Sequence, residues 1–385
     1  MSVEVEGERA ATAEAADAAK HVRVAIVGAG FSGLGLAIRL KRQGVEDFVV
    51  LERAEDVGGT WRDNTYPGCA CDVPSHLYSF SFAPNPEWTR HFAPQPEIWR
   101  YLRWCVARFG IGPHIRYGCE LREAAWDEEA GRWHIATSQG PLSADVLALG
   151  QGPLSEPSLP DIPGLDGFPG TLFHSARWGH EHDLTGERVA VIGTGASAVQ
   201  FVPHIQPAVG RLHLFQRTPP WILPRRDRAI SPRRRALFRR LPLSQRLARY
   251  GIYWLFEMRA LGLVYRPQMM LAPQRLALKY LAAQVPDAAL REKLTPRYTM
   301  GCKRILLSDD FYPALSRPNA EVVTDRIREV RGRAIVTADG AEREVDTIIV
   351  ATGFHVTDNP VTDRVRGRAH APRSACLSRG SPWRR

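Results

Sequence analysis

Val22–Gly33 reads VRVAIVGAGFSG. Its first six residues are rich in β-branched types and read as a buried parallel strand. Gly28, Gly30 and Gly33 then form G-x-G-x-x-G, and Leu34–Arg42 continues with helical spacing. The first glycine permits a tight bend. The second lets a pyrophosphate approach the backbone, and the third lets the helix pack on the strand. The phosphates sit at a helix N-terminus, where N–H groups and the dipole favour anions. The candidate cofactor-binding residues of this turn are Gly28, Gly30, Phe31, Ser32 and Gly33. A second strand, Asp47–Leu51, ends in Glu52, whose carboxylate suits a ribose diol. A glycine-rich turn in an unrelated α/β protein is the competing reading, and the ordered strand, turn, helix and acid argue against it.

The pattern recurs. Arg188–Ile192 is a strand, followed by Gly193, Thr194, Gly195, Ala196, Ser197 and Ala198 as G-x-G-x-x-A, and Leu212–Gln216 is the matching second strand. Gly28 to Glu52 and Gly193 to Arg217 have the same separation, 24 residues. Glutamate at that position suits an unmodified ribose, whereas Arg217 suits a 2′-phosphate, with Thr218 beside it. The first site is therefore expected to hold FAD or NAD and the second NADP. The expected fold is α/β, with two Rossmann-like domains, and two dinucleotide sites in one chain suggest electron transfer between flavin and nicotinamide.

At 385 residues and 44% hydrophobic content, the chain can bury a core for two domains or more. The net charge is +10, concentrated partly in arginines at 225–240 and near the C-terminus. No aromatic-interleaved basic repeat accompanies them, so nucleic-acid binding is not expected. The six cysteines, Cys69, Cys71, Cys105, Cys119, Cys302 and Cys376, include no pair at zinc or redox spacing. They read as reduced cytosolic thiols in a cytoplasmic protein, with no metal site. The acidic stretch Met1–Lys20 has no apolar signal region and reads as a disordered tail.

After Glu52, Gly58, Gly59, Thr60, Trp61, Tyr66, Pro67, Gly68 and Asp72 make a loop placed to pass over a bound flavin. Trp61 either stacks there or is a packed surface tryptophan. Asp72 is either a functional carboxylate or a helix cap. Glu97–Phe109 reads as a helix. Glu120–Trp126, Arg132–Thr137 and Asp145–Leu149 read as strands, and Pro153–Gly164 as a linker. Residues 21–152 thus make an FAD-binding domain, completed by about 340–360. Residues 153–224 and 297–339 make an NADPH-binding domain. Between these parts, 225–296 reads as a helical insertion whose Tyr250–Tyr265 stretch is too short to span a bilayer. Its default reading is a buried amphipathic helix, with a channel wall or membrane-surface helix as minor alternatives. Lys303 and Arg304 precede an apolar run and would point to opposite sides of a strand, one toward nicotinamide phosphates and one toward flavin; solvated surface charges are the alternative. Asp346–Val350 reads as a buried strand returning to the first sheet.

Together these motifs resemble the class B flavoprotein monooxygenases, most closely the type I Baeyer–Villiger monooxygenases. The family pattern F-x-G-x-x-x-H-x-x-x-W-[PD] is met by Phe168, Gly170, His174 and Trp178, with Gly179 departing at the last position. A second pattern, [AG]-G-x-W-x-x-x-x-[FY]-P-[GM]-x-x-x-D, is met from Gly58 through Asp72. The resemblance covers Val22 to Phe354. It implies that NADPH reduces FAD and that one atom of O2, carried as a flavin peroxide, is inserted beside a ketone carbonyl to give an ester or lactone. It also implies that Arg304 is the active-site arginine, tuned by Asp72, and that Lys303 lies near the 2′-phosphate. His174 and Trp178 would link domain movement to catalysis, and Tyr78 and Leu121 would contact flavin.

Family members continue well past Ala351–Phe354, whereas Val361–Arg385 carries seven arginines and one acid without periodicity. It reads as an irregular tail on a truncated or frame-shifted chain. Two other readings follow: an N- or S-oxygenating flavin enzyme, and an inactive nucleotide-binding remnant.

Overall fold

A computed structural model describes residues 20–264 and 267–367. The expected N-terminal tail therefore lies outside the described residues, except Lys20, which opens the first strand. So does most of the arginine-rich end. The described chain forms two compact units. Residues up to Asp63, Trp99–Pro157 and Phe354 onward make the first; Asn64–Ile98 and Ser158–Gly353 make the second.

In the first unit, strand β1 (Lys20–Val27) leads into helix α1 (Phe31–Arg42), and β2 is Phe48–Leu51. Strands β3 (Ile115–Arg116), β4 (Leu121–Asp127), β5 (Arg132–Thr137) and β6 (Gly140–Leu149) follow. The sheet runs β4-β5-β6-β1-β2-β3, with strand Val365–Arg366 added beyond β4. β1 pairs in parallel with both β6 and β2, while β4, β5 and β6 form an antiparallel meander. All four residues of β2 are buried, as a central parallel strand requires. A core of Ala25, Val27, Leu51, Leu121, Ile135 and Leu142, with others, backs the sheet.

In the second unit, β7 (Thr171–His174), β8 (Arg188–Ile192), helix α2 (Ala196–Ile205) and β9 (Arg211–Phe215) come first. β10 (Ile222–Leu223) opens the helical insertion, made of α3 (Pro232–Arg240), α4 (Pro242–Val264), α5 (Leu271–Gln284) and α6 (Ala288–Lys293). Strand β11 (Leu306–Leu307) pairs with β10 and closes its base. β12 (Ala320–Val323), a three-stranded meander β13 (Ile327–Arg331), β14 (Ala334–Thr337) and β15 (Glu342–Glu344), and β16 (Thr347–Val350) complete the unit. The main sheet is wholly parallel, in the order β12-β9-β8-β16-β7.

The two sheets share one plan. In each, the strand before the glycine turn lies between the strand after its helix and the last strand of the repeat. This is the switch point at which open α/β sheets bind ligands.

Five expectations change. Strand 347–350 belongs to the second sheet, not the first: it pairs in register with β8 and β7, from Thr347 opposite Val189 and Thr171 to Val350 opposite Ile192 and His174. Residues 64–98 lie with the second unit, because Gln200, Asp227, Arg249 and Arg304 hydrogen-bond to them. Lys303 and Arg304 lie in an irregular loop rather than a strand, since the pairing with β10 begins only at Leu306. The segment after 360 is not irregular throughout. Pro360–Asp363 is a helical turn capped by Asn359, and Val365–Arg366 extends the first sheet alongside β4. The helix expected from Glu97 begins at Gln95, with Pro96 in the first turn, where its missing N–H costs nothing.

Candidate functional sites

The two glycine turns are built alike. Gly28 N–H donates to the Leu51 carbonyl at 2.8 Å, and Gly193 N–H to Phe215 at 3.1 Å. Gly150 N–H donates to Val27 O at 2.7 Å, and Ala351 N–H to Ile192 O at 2.8 Å. Gly28 has φ +96° and Gly193 φ +111°, the left-handed region that favours glycine. A Cβ on Gly28 would lie 2.9 Å from the Gly150 oxygen; one on Gly193 would lie 2.5 Å from the Ala351 oxygen. Gly30 and Gly195 are different. Nothing comes nearer than 3.9 Å to a Cβ built on either, so both leave space beside the backbone. Each caps its helix without a side-chain hydrogen bond, and neither first turn carries an acid. A helix start of this kind takes an anion.

The third positions differ. A Cβ on Gly33 would sit 1.9 Å from the Gly28 carbonyl oxygen, so helix and strand touch there. Ala198 fits its methyl into a fully buried place. Among the flanking candidates, Phe31 stacks on Tyr101 with centroids 6.2 Å apart, and Ser32 is exposed. Thr194 Oγ1 donates to the Thr218 carbonyl at 3.2 Å; Ala196 is exposed and Ser197 half-buried.

The acid and base after the second strands also differ in surroundings. Glu52 is buried and accepts from Ala29 N–H at 2.8 Å, Ala54 N–H at 3.0 Å and Arg62 Nη1 at 2.9 Å. A carboxylate offers about four acceptor positions, and three of them are taken here. Burial works against the Arg62 charge, but hydrogen bonds to Asp63 and Glu52 and the two carboxylate charges outweigh it and hold its pKa up. Arg217 is exposed and has no hydrogen-bond or ion-pair partner among the described residues. Thr60 is half-buried and Trp61 buried in the single turn Thr60–Asp63; Leu121 lies in the core, where Arg364 Nη1 bonds its carbonyl.

The remaining candidates lie in the second unit. Phe168 is buried in the core there, and Gly170 is needed because a Cβ would sit 2.2 Å from the Asp346 oxygen. His174 ends β7, buried. Its Nδ1 accepts from Ala176 N–H at 3.1 Å, and it also bonds the Gly353 backbone. Burial lowers its pKa. Trp178 packs between Phe173 and Phe201, at 5.2 and 5.1 Å.

Arg304 and Asp72, 232 residues apart in sequence, form a forked pair. Nε donates to Oδ2 at 2.9 Å, and Nη2 reaches both oxygens at 2.6 Å. Asp72 is therefore not a helix cap. The Arg304 side chain is 64% exposed and that of Asp72 20%. The Asp72 hydrogen bond raises the Arg304 pKa against the opposing effect of burial, and the nearby Tyr78 phenol also favours the charge. An exposed pair contributes about 0–1 kcal/mol to stability. Its geometry thus matters more to the surface it presents than to the fold. Lys303 is exposed, with its Nζ 5.2 Å from the Tyr298 ring centre.

Among the described residues, no three His, Cys, Asp or Glu side chains converge to hold a metal. No described helix is long and apolar enough to cross a membrane.

Comparison with known proteins decides the family. The model of the flavin-binding monooxygenase-like family matches residues 21–274. The chain belongs to that family. A Baeyer–Villiger monooxygenase of Streptomyces coelicolor is 57% identical over 348 residues, covering 90% of this chain and 67% of the relative. One from Pseudomonas aeruginosa is 54% identical over 342 residues, covering 89% and 65%. Cyclohexanone monooxygenase from Rhodococcus sp. Phi1 bound to NADP+ superposes with a TM-score of 0.80 at 29% identity, covering 92% of this chain and 74% of that one. The OTEMO complex with FAD and NADP gives 0.82 at 27%, covering 94% and 77%. The chain spans about two thirds of the length of the curated relatives it matches.

Within this flavin-binding monooxygenase-like chain, three residues absent from the sequence reading shape the sites. Arg62 fills one Glu52 oxygen. Gln200, on α2, bonds Tyr66 and Ala70. Arg249, on α4, donates to the His76 and Leu77 carbonyls. Gln200 and Arg249 act on residues more than a hundred positions away, whereas Arg62 reaches back only ten, to Glu52.

Proposed function

We propose that the chain carries the two nucleotide units of an FAD- and NADPH-dependent monooxygenase of Baeyer–Villiger type, acting on a ketone with O2. The first unit takes FAD and the second NADPH. Support comes from the matched turns and from the contrast between buried Glu52 and unpartnered Arg217. FAD's pyrophosphate would lie at Gly28–Gly33 and the α1 start, and that of NADPH at Gly193–Ala198. Arg217, with Thr218 and Lys303, would hold the 2′-phosphate. Bound flavin supplies two-electron chemistry from nicotinamide to O2.

The chain's own contribution to oxygen transfer is charge. Arg304 keeps its proton through any accessible pH, so it stabilises negative charge developing on oxygen without quenching it. Asp72 fixes the guanidinium's direction through both of its oxygens. The forked Asp72–Arg304 pair, held at a surface rather than in the core, is the observation that carries this reading. A panel of ketones, NADPH and air tests it: ester or lactone products are expected. Products confined to N- or S-oxides would assign the chain to heteroatom oxygenation instead.

A further inference from the structure

We propose that Gln200 is a positioning residue that ties the Gly193 turn to the Asp72–Arg304 pair. This rests on the reading of that turn as nucleotide-binding. Gln200 lies one helical turn beyond Ser197, in the first half of α2, where Ala198, Val199, Phe201 and Val202 are buried. Its side-chain amide holds the loop that carries Asp72 at three points. Oε1 accepts from the Tyr66 hydroxyl at 3.0 Å and from Ala70 N–H at 3.3 Å, and Nε2 donates to the Ala70 carbonyl at 2.9 Å. Both backbone groups of Ala70, two residues before Asp72, are thus bound by one side chain.

Tyr66 strengthens the link. It is buried, bonds Ser197 in the turn itself, and packs edge-on against Phe201 at 6.0 Å. Gly68 shows how closely loop and helix approach. It has φ +76°, and a Cβ there would lie 2.3 Å from the His204 ring and 3.0 Å from the Gln200 carbonyl oxygen. Beyond Asp72, Arg249 Nη1 grips the His76 and Leu77 carbonyls at 2.8 and 2.9 Å. Asp72 therefore hangs between an anchor on the nucleotide helix and one on the helical insertion.

The loop does not need Gln200 in order to exist. Cys71 N–H donates to Ala93 O and Gln95 N–H to Cys69 O, both at 2.9 Å. What Gln200 adds is placement against α2. A phosphate that orders the α2 start orders Gln200 one turn on, and through Ala70 it steadies the carboxylate that aims Arg304.

The test is amide hydrogen exchange of residues 66–72 in the whole chain, with and without NADP+, for the parent, Gln200→Met and Gln200→Glu. In the parent, NADP+ slows exchange at Ala70. Gln200→Met, which removes all three bonds, exchanges about tenfold faster at Ala70 and loses the NADP+ effect, while its NADP+ affinity stays within about threefold. Gln200→Glu keeps both acceptor bonds but sets an acceptor oxygen against the Ala70 carbonyl, so its exchange at Ala70 falls between the parent and Gln200→Met. In the FAD-loaded protein, Gln200→Met lowers ester formed per NADPH consumed at unchanged KM for NADPH. NADP+ slowing that persists in Gln200→Met overturns the inference alone, as does collapse of NADP+ affinity, which would make Gln200 a nucleotide contact. A parent that shows no response to NADP+ overturns the nucleotide reading and this inference with it.

Discussion

Arg217→Ala separates the two nucleotide sites most cleanly. The side chain is exposed and makes no hydrogen bond or ion pair within the described protein, so its removal costs the fold under about 0.5 kcal/mol. Against a 2′-phosphate, the same guanidinium makes a charge-assisted pair worth about 1.5–3 kcal/mol. At about 1.4 kcal/mol per factor of ten, NADP+ affinity falls by about 10- to 150-fold. NAD+ has no 2′-phosphate, so its affinity changes by less than about threefold. Titration calorimetry with both nucleotides at fixed ionic strength reads the two numbers, and the wild-type preference for NADP+ should shrink as salt rises. Equal losses for NADP+ and NAD+ would refute the reasoning, because they would mean that Arg217 supports the site's shape rather than the phosphate.

Three further outcomes follow from the geometry. Arg304→Ala should retain NADPH-driven flavin reduction yet lose ester formation by about 100-fold or more; Arg304→Lys should not restore it, since an ammonium cannot fork onto Asp72, and product analysis beside reduction kinetics checks both. Gly33→Ala should abolish flavin retention or folding, because its methyl would meet the Gly28 carbonyl oxygen at 1.9 Å, whereas Ala198→Gly should cost only about 1 kcal/mol, seen in urea midpoints and visible absorbance. His76 is buried, and desolvation, helped by the Arg234 and His91 charges, pushes its pKa down to about 4. Its unfolded value is near the ordinary 6.5, so the unfolded state binds the proton first. Stability should fall by up to about 3 kcal/mol as pH drops from about 6.5 toward 4, and urea midpoints of His76→Gln should show a shallower fall across that window.

What the sequence made legible was local. The strand, turn and helix at Val22–Arg42 and at Arg188–Ile205 follow from glycines and β-branched runs acting over a few residues. The helical insertion was visible in apolar spacing, but the reading of a buried helix there is overturned: Leu243, Leu247, Tyr250 and Trp254, the residues that carry the spacing, are exposed on α4. The partner of strand 347–350 was not legible. Its four apolar-rich residues suit a central parallel strand in either sheet, and the choice depends on register against Val189–Ile192 far away in sequence. The assignment of residues 64–98 failed for the same reason, since Gln200, Asp227 and Arg249 hold them from more than a hundred positions along the chain. Lys303 and Arg304 were misread because two cations before an apolar run look like strand, while the pairing partner is only two residues long. The Asp72–Arg304 pair was accessible only through the family pattern, as nothing in the spacing of either residue announces the other. Glu52 was identified as an acid at a strand end, but its Arg62 donor was hidden, because it depends on a turn that brings that side chain back.

The most direct measurement is anaerobic titration of the FAD-loaded chain with NADPH, followed by visible absorbance. Two working dinucleotide sites predict that the flavin bleaches with NADPH and far more slowly with NADH at equal concentration. A chain that retains no flavin, or that bleaches equally with both nucleotides, would contradict the account.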